Sequence, residues 1–171
     1  ENIEQHIEDG VGLVVMQFAP ADSPYDFNKI TIFDNGRGFY DDTNDRPVTV
    51  KEAVQPGVKF GAGKKHGDAL DTMLIQTAAT LILNNNEAVL CRKLTRGGVI
   101  ETKDIENMPD FNRGVWITGY FPSSDFSPRF LLKAFDIIAN DIEAEFEGWN
   151  RRIPPSLSER LTTQDATNTS L

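Results

Sequence analysis

The first candidate for chemistry is the run FDNGRGF, in which an aspartate is followed by two glycines at two-residue spacing. Asp34 directly follows the apolar run KITIF, where a strand is expected to end. A carboxylate fixed there can accept a hydrogen bond from an exocyclic amine such as adenine N6. Gly36 and Gly38 would leave room for a ring or adopt positive φ. A tight turn built on Asp-Asn chemistry explains the same residues equally well.

The second candidate is the run KFGAGKKHGDAL, which leads directly into a predicted helix. Its glycines and lysines can present backbone N–H groups, a helix N-terminus and ammonium groups to phosphates. The run is not a P-loop, because Lys65 follows Lys64 where that motif has Ser or Thr. It is not a dinucleotide-binding fingerprint either, because the third glycine, Gly67, comes one position late. A flexible, solvated loop is the alternative interpretation.

The third candidate is the opening segment, ENIEQHIED, which is predicted to form a helix with two opposed faces. Ile3 and Ile7 would hold one face to the core, while Glu1 and Gln5 lie one turn apart on the other. A glutamate can polarise a water as a general base, and an amide oxygen can bind Mg²⁺. An ordinary acidic helix face has the same pattern.

The elements that must position these residues alternate irregularly along the chain. In order, we predict a helix over 1–9, a buried strand over 13–19, a strand ending at Asp34, a long glycine-rich loop over 35–66, a helix over 68–79, strands in TLIL, AVLCRKL, GVIETK and GVWITGYF, and an amphipathic helix over 130–146. This order lacks the regular βα repeat of a doubly wound sheet. We therefore predict an α/β fold, a two-layer α/β sandwich whose mixed, mostly antiparallel sheet is covered on one face by helices.

Composition limits the classes of function. The 171 residues carry 17 Lys and Arg against 26 Asp and Glu, a formal charge of −9, so direct binding to nucleic acid is not expected. An apolar content of 39% predicts a folded core, assigned to residues 1–150, followed by a polar linker or tail over 151–171. The single cysteine, Cys91, and the lack of a long apolar run predict an intracellular protein, in the cytoplasm or nucleus, without a membrane partner.

The order of these motifs carries more information than any one of them. An E-x-x-x-Q helix, a strand ending in D-x-G-x-G and a G-x-G-x-K-x-G segment together resemble the GHKL ATPases, from Glu1 to Phe121. This family includes gyrase B, the ninety-kilodalton heat-shock chaperone, histidine kinases, MutL and the MORC proteins, and the run KFGAGKKHGDAL is most similar to the chaperone, MutL and MORC-like branches. The resemblance implies the Bergerat fold, a domain excised from a larger protein, and the ligands ATP and Mg²⁺.

The resemblance also implies a role for individual residues. Glu1 corresponds to the catalytic glutamate that activates water, and Gln5 to the Mg²⁺-binding asparagine. Asp34 corresponds to the adenine-binding aspartate, with Gly36 and Gly38 as its companion glycines. The lid around the phosphates corresponds to Gly61, Gly63 and Lys65, with Gly67 beginning the helix behind it and Lys65 also offsetting charge during catalysis. Lys64 and His66 are further candidates for contact with the phosphates.

Two departures from the family pattern bear on activity. Gln5 places its oxygen one methylene further out than asparagine, and Val115 after Gly114 lacks the hydroxyl of the family's Gly-Thr pair. The resemblance implies Mg-ATP binding and hydrolysis by a conformational or dimerisation switch, in a nucleotide-dependent homodimer of the parent protein. The alternatives are a catalytically weakened nucleotide-sensing module and a histidine-kinase-type catalytic domain. Glu1 favours hydrolysis over phosphate transfer.

Overall fold

A computed structural model describes residues 12–23, 26–55, 67–94, 98–123 and 128–152 of the chain. The elements in chain order are β1 (Val14–Ala19), β2 (Phe27–Asp34), β3 (Tyr40–Asp41), β4 (Arg46–Pro47), α1 (Val50–Ala53), α2 (Gly67–Gln76), β5 (Ala79–Asn84), β6 (Glu87–Lys93), β7 (Ile100–Asp104), β8 (Val115–Pro122) and α3 (Pro128–Arg152). The predicted helix over 1–9 lies outside the described residues, as does the tail after Arg152.

Six of the strands form one sheet in the order β1-β2-β8-β5-β6-β7, and β3 and β4 form a separate small hairpin. Every pairing in the large sheet is antiparallel. The α/β class and the predominantly antiparallel sheet are therefore confirmed. The strand GVWITGYF is central in the sheet, because β8 pairs with β2 on one side and β5 on the other.

Helices cover both faces of this sheet, so the prediction of one covered face is wrong. Alternate residues of a strand point to opposite faces, and β5 is apolar on both. Leu81 and Leu83 belong to a buried cluster with Ile138 of α3. Ile82 belongs to a second cluster with Leu74 of α2. We call these the α3 face and the α2 face of the sheet. The apolar stripe of α3 needs an apolar partner surface, and the far side of β5 and β6 supplies it.

Strand β1 lies at the edge of the sheet and is largely exposed, which corrects the prediction of a buried strand. Among its side chains, Met16 is 71% exposed and Phe18 is 62% exposed. Both lie on the α2 face, because Met16 pairs with Ile32 and Ile32 pairs with Ile117 of the second cluster. An apolar run therefore predicted a strand correctly, but it did not reveal whether anything covers the strand.

The boundaries of the other elements follow local chemistry. The β5–β6 hairpin turns through Asn85 and Asn86, both with positive φ, a conformation that asparagine tolerates in two-residue turns. The helix predicted over 68–79 ends three residues earlier, at Gln76. There the Thr77 hydroxyl donates to Met73 O, at 2.9 Å. Helix α3 begins at Pro128, a residue favoured at the first helical position. No helix in the described ranges has the length and apolarity needed to cross a membrane.

Candidate functional site

The carboxylate of Asp34 occupies the end of β2, as predicted, and its own loop orients it. Gly36 N donates to Asp34 Oδ1 at 2.9 Å, which fixes one carboxylate oxygen. Among the described residues, none donates a hydrogen bond to the second oxygen, Oδ2, and the residue is only partly buried. Asp34 therefore offers one oriented acceptor to a ligand that carries an N–H group.

Val115 lies directly opposite Asp34 on the neighbouring strand. Asp34 and Val115 are partners in the β2–β8 register, so their side chains share a face of the sheet. Val115 is 7% exposed and belongs to the cluster on the α2 face. Asp34 is thus on the α2 face, and the residue closest to it across the ladder is apolar.

The glycine before Val115 allows this close approach. Gly114 has a φ of +84°, and a Cβ at this position would lie 1.8 Å from Asp34 O. The guanidinium Nε of Arg113 donates to Asn35 O at 3.0 Å, which ties the same two segments together. The Gly-Val pair is therefore fixed against the end of β2, and any side chain at position 114 would displace it.

Gly36 and Gly38 are both buried in the loop that follows Asp34. Gly38 has a φ of +88°, and a Cβ there would lie 2.5 Å from Asn84 Oδ1. This glycine is therefore required for the packing of the loop against β5. A tight turn is enough to explain Gly38. It does not explain why one carboxylate oxygen of Asp34 remains available to a ligand.

Asn84 holds this loop in place, a role that sequence reasoning missed. The side chain of Asn84 is fully buried at the end of β5. Its Oδ1 accepts from Phe39 N at 2.8 Å, and its Nδ2 donates to Val48 O at 3.0 Å. The sequence pattern assigns Asn84 to the Asn-rich turn, and the only signal for a different role is its position directly after a buried apolar strand.

The hairpin of β3 and β4 extends the loop with its own polar network. Asp41 is buried and accepts from Asn44 Nδ2 at 2.6 Å and from Thr43 N at 3.0 Å, and these bonds hold the pKa of Asp41 below its usual value. Tyr40 donates to Asp45 Oδ1, which raises the pKa of the phenol. These carboxylates serve local turns.

Helix α1 follows the hairpin, and side-chain hydrogen bonds stabilise its N-terminus. Thr49 and Glu52 form a capping box, and Arg46 donates to both carboxylate oxygens of Glu52. The hydrogen bonds from Arg46 lead the effects that lower the pKa of Glu52 to about 2. Glu87 accepts from Val50 N at 2.9 Å, so the β5–β6 hairpin also fixes the first turn of α1.

Most of the predicted phosphate and catalytic residues lie outside the described part of the chain. These are Glu1, Gln5, Gly61, Gly63, Lys64, Lys65 and His66. Gly67 is the first residue of α2, as predicted for the glycine behind the lid. Leu70 and Leu74 place α2 on the same face of the sheet as Val115. Asp34 and helix α2 therefore lie on the same face of the sheet, and Gly36 and Gly38 follow Asp34 in the loop at the end of β2.

The described residues contain no cluster of three or more His, Cys, Asp or Glu side chains that could hold a metal ion. Asn35, the polar neighbour of Asp34, already accepts from Leu13 N at 2.8 Å through its Oδ1. The metal prediction therefore depends on Gln5. Comparison with known proteins finds no family model that matches the chain, and a search of curated proteins finds no match.

Proposed function

We propose that this chain is a GHKL-type domain with a Bergerat fold that binds Mg-ATP and hydrolyses it. The observation that carries the proposal is the position of Asp34. It has one carboxylate oxygen fixed by Gly36 N and no described donor to the other. It also lies at a strand end opposite a Gly-Val pair. An adenine N6 amine is a donor of the kind that this oxygen requires.

The proposal assigns the phosphates to the other end of the site. Lys64, Lys65, His66 and the glycines around them precede α2, whose first residue is Gly67. Helix α2 lies on the same face as Asp34, which allows one ligand to reach both. Glu1 would orient the attacking water, Gln5 would hold Mg²⁺, and Lys65 would offset the charge that develops at the γ-phosphate.

Strand β1 leaves an apolar surface exposed on the α2 face of the sheet, next to β2. The proposal requires residues 1–9 to pack beside Asp34, with Ile3 and Ile7 against the sheet. Met16 and Phe18 expose apolar side chains there. Met16→Glu should therefore reduce ATP turnover. Gln17→Glu, on the same strand but the opposite face, should leave turnover unchanged.

The central experiment measures displacement of a fluorescent ATP analogue by Mg-ATP from Asp34→Asn and from the parent chain. Asparagine keeps the Oδ1 acceptor for Gly36 N but places an NH₂ donor where the second oxygen was. We expect affinity to fall at least tenfold, since a hydrogen bond to a charged group contributes about 1.5 to 3 kcal/mol. Asp110→Asn, an exposed carboxylate in another loop, is the matched control. Unchanged binding in Asp34→Asn would refute the adenine assignment.

A nucleotide-sensing module without turnover is the second candidate, and Val115 is the observation that favours it. The side chain opposite Asp34 is buried and has no hydroxyl to place against a base. Single-turnover hydrolysis of labelled ATP separates the two candidates. Turnover that Glu1→Ala abolishes supports the hydrolase, binding without turnover in both chains supports the module, and transfer of label to a partner protein would indicate a kinase.

In the parent protein, nucleotide binding would drive homodimerisation.

A further inference from the structure

A cavity of about 530 Å³ opens on the α3 face of the sheet, opposite the face that carries Asp34. Its floor is formed by β1, β2, β8 and β5, and its wall by the last three turns of α3 and the loop before β8. Its volume is within the range of small-molecule sites. Helix α3 packs on β5, and the exposed edge strand β1 forms the opposite side of the cavity.

Aromatic rings dominate the lining. The six are Phe33, Phe111, Trp116, Tyr120, Phe146 and Trp149. Phe33 packs against Phe111 and Trp116 with ring centroids 6.1 Å and 6.0 Å away. Trp149 is 53% exposed, at the end of α3. Such a surface favours an apolar body and, through the ring faces, a cationic group.

Three polar groups on the floor of the cavity, those of Thr31, Trp116 and Thr118, are already paired with one another. Trp116 Nε1 donates to Thr118 Oγ1 at 2.9 Å, and the hydroxyls of Thr118 and Thr31 are 2.9 Å apart. Within the described residues, the two charged lining side chains, Lys29 and Glu145, have no ion-pair partner. Specificity therefore depends on charge at the edge of the cavity.

The charge around the cavity favours a cation. Between Asp136 and Glu147, α3 carries five carboxylates and no basic residue, and the whole chain has a formal charge of −9. Lys29 opposes this field, but its Nζ lies 5.7 Å from the Tyr120 ring centroid and is engaged by that ring. Burial raises the pKa of the Tyr120 phenol, and Asp141 and Glu145 are close enough to raise it further. Arg151 and Arg152 follow at the end of α3, but Glu145 is the charged residue of α3 that lines the cavity, so its carboxylate makes the cavity negative beside Tyr120.

We propose that this cavity binds an amphiphilic organic cation, with its apolar body among the aromatic rings and its ammonium group beside Glu145. The site lies on the opposite face from the proposed nucleotide site and does not depend on it. A cation of this kind leaves the hydrogen bonds among Thr31, Trp116 and Thr118 intact, and its ammonium group gains contact with aromatic ring faces and with the Glu145 carboxylate. An anion of equal size would face the Glu145 carboxylate.

The chain offers a specific readout, because its two tryptophans, Trp116 and Trp149, both line the cavity. The probes are hexyltrimethylammonium and heptanoate, which have similar apolar bodies, opposite charges and no absorption where tryptophan is excited. We expect saturable changes in tryptophan emission with the cation, with an affinity at least tenfold higher than for the anion. Equal responses, a preference for heptanoate or the absence of saturation would overturn the proposal.

Variants locate the binding site. Glu145→Gln should weaken cation binding about fivefold, because two unit charges in contact in water attract each other by roughly 1 kcal/mol. Asp136→Asn, an exposed carboxylate on α3 outside the cavity, should change the affinity less than twofold. Lys29→Met should strengthen cation binding. Ala19→Phe, which fills the cavity from β1, should weaken both probes, and an unchanged cation response in Ala19→Phe or Glu145→Gln would refute the site.

Discussion

Asp34 and Val115 face each other across the β2–β8 ladder, with a glycine immediately before Val115 whose missing side chain lets the two strands meet at this point. This places a carboxylate with one available oxygen next to a buried apolar side chain. Such a pair can recognise the polar edge and the face of a planar base together. A hydroxyl at position 115 would add a second polar contact beside the carboxylate.

We therefore predict that Val115→Thr tightens Mg-ATP binding by about fivefold, because one added hydrogen bond contributes a net free energy of about 1 kcal/mol. The same change should lower the free energy of unfolding by about 1 to 2 kcal/mol, because it buries a hydroxyl in an apolar cluster. Val115→Ala is the control, since it weakens packing without adding a hydroxyl. Titration with ATP and urea denaturation measure the two effects. A loss of affinity in Val115→Thr would contradict the geometry.

Gly114→Ala should destabilise the chain by about 2 kcal/mol or more. Its positive φ alone costs an L-residue roughly 1 to 2 kcal/mol, and the added Cβ would lie 1.8 Å from Asp34 O. Gly148→Ala is the matched control, because a Cβ added at this position of α3 would meet no neighbouring atom within 4 Å. That change should stabilise by about 0.5 to 1 kcal/mol. If the two alanine substitutions changed the free energy of unfolding in urea equally, strands β2 and β8 would not meet this closely.

Asn84→Ala should lower the free energy of unfolding by about 2 to 4 kcal/mol, because it leaves the partly buried Phe39 N and the buried Val48 O without their partner. Hydrogen exchange at the Phe39 amide should accelerate more than exchange in β5. Asn140→Ala, an exposed asparagine in α3, should be neutral or slightly stabilising. A selective loss of protection at Phe39 would identify Asn84 as the residue that holds the Asp34 loop. Uniform loss would instead indicate a general weakening of the core.

Sequence reasoning could not predict the role of Asn84, and the cause is physical. Asn and Gly favour turns through local conformational preferences, and the NNNE run does form the hairpin turn between β5 and β6. Asn84 instead acts through Phe39, 45 positions earlier. No local preference encodes a partner at that distance. Asp34 was placed correctly because the change from an apolar run to a glycine loop is itself a local signal.

The distribution of helices over the sheet was unpredictable for a related reason. The four-residue spacing of Ala134, Ile138 and Ile142 predicted an amphipathic helix, and these residues are buried against the sheet. Periodicity identifies the buried side of a helix but not which face of the sheet it meets. Because β5 is apolar on both faces, either face could have received α3. The exposure of Met16 likewise depends on what covers an edge strand.

The Arg46–Glu52 pair gives the stability of the chain a specific dependence on pH. The pKa of Glu52 is lowered from 4.5 to about 2. The stabilisation from its ionised form is therefore complete above pH 4.5 and is lost as the pH falls from 4.5 toward 2. We predict that Glu52→Gln is less stable than the parent at neutral pH, and that the difference narrows steadily below pH 4.5. Urea midpoints measured at several pH values test this, and Glu106→Gln, an exposed glutamate, is the control. A difference that stays constant down to pH 2 would mean that Arg46 does not hold the carboxylate in its ionised form.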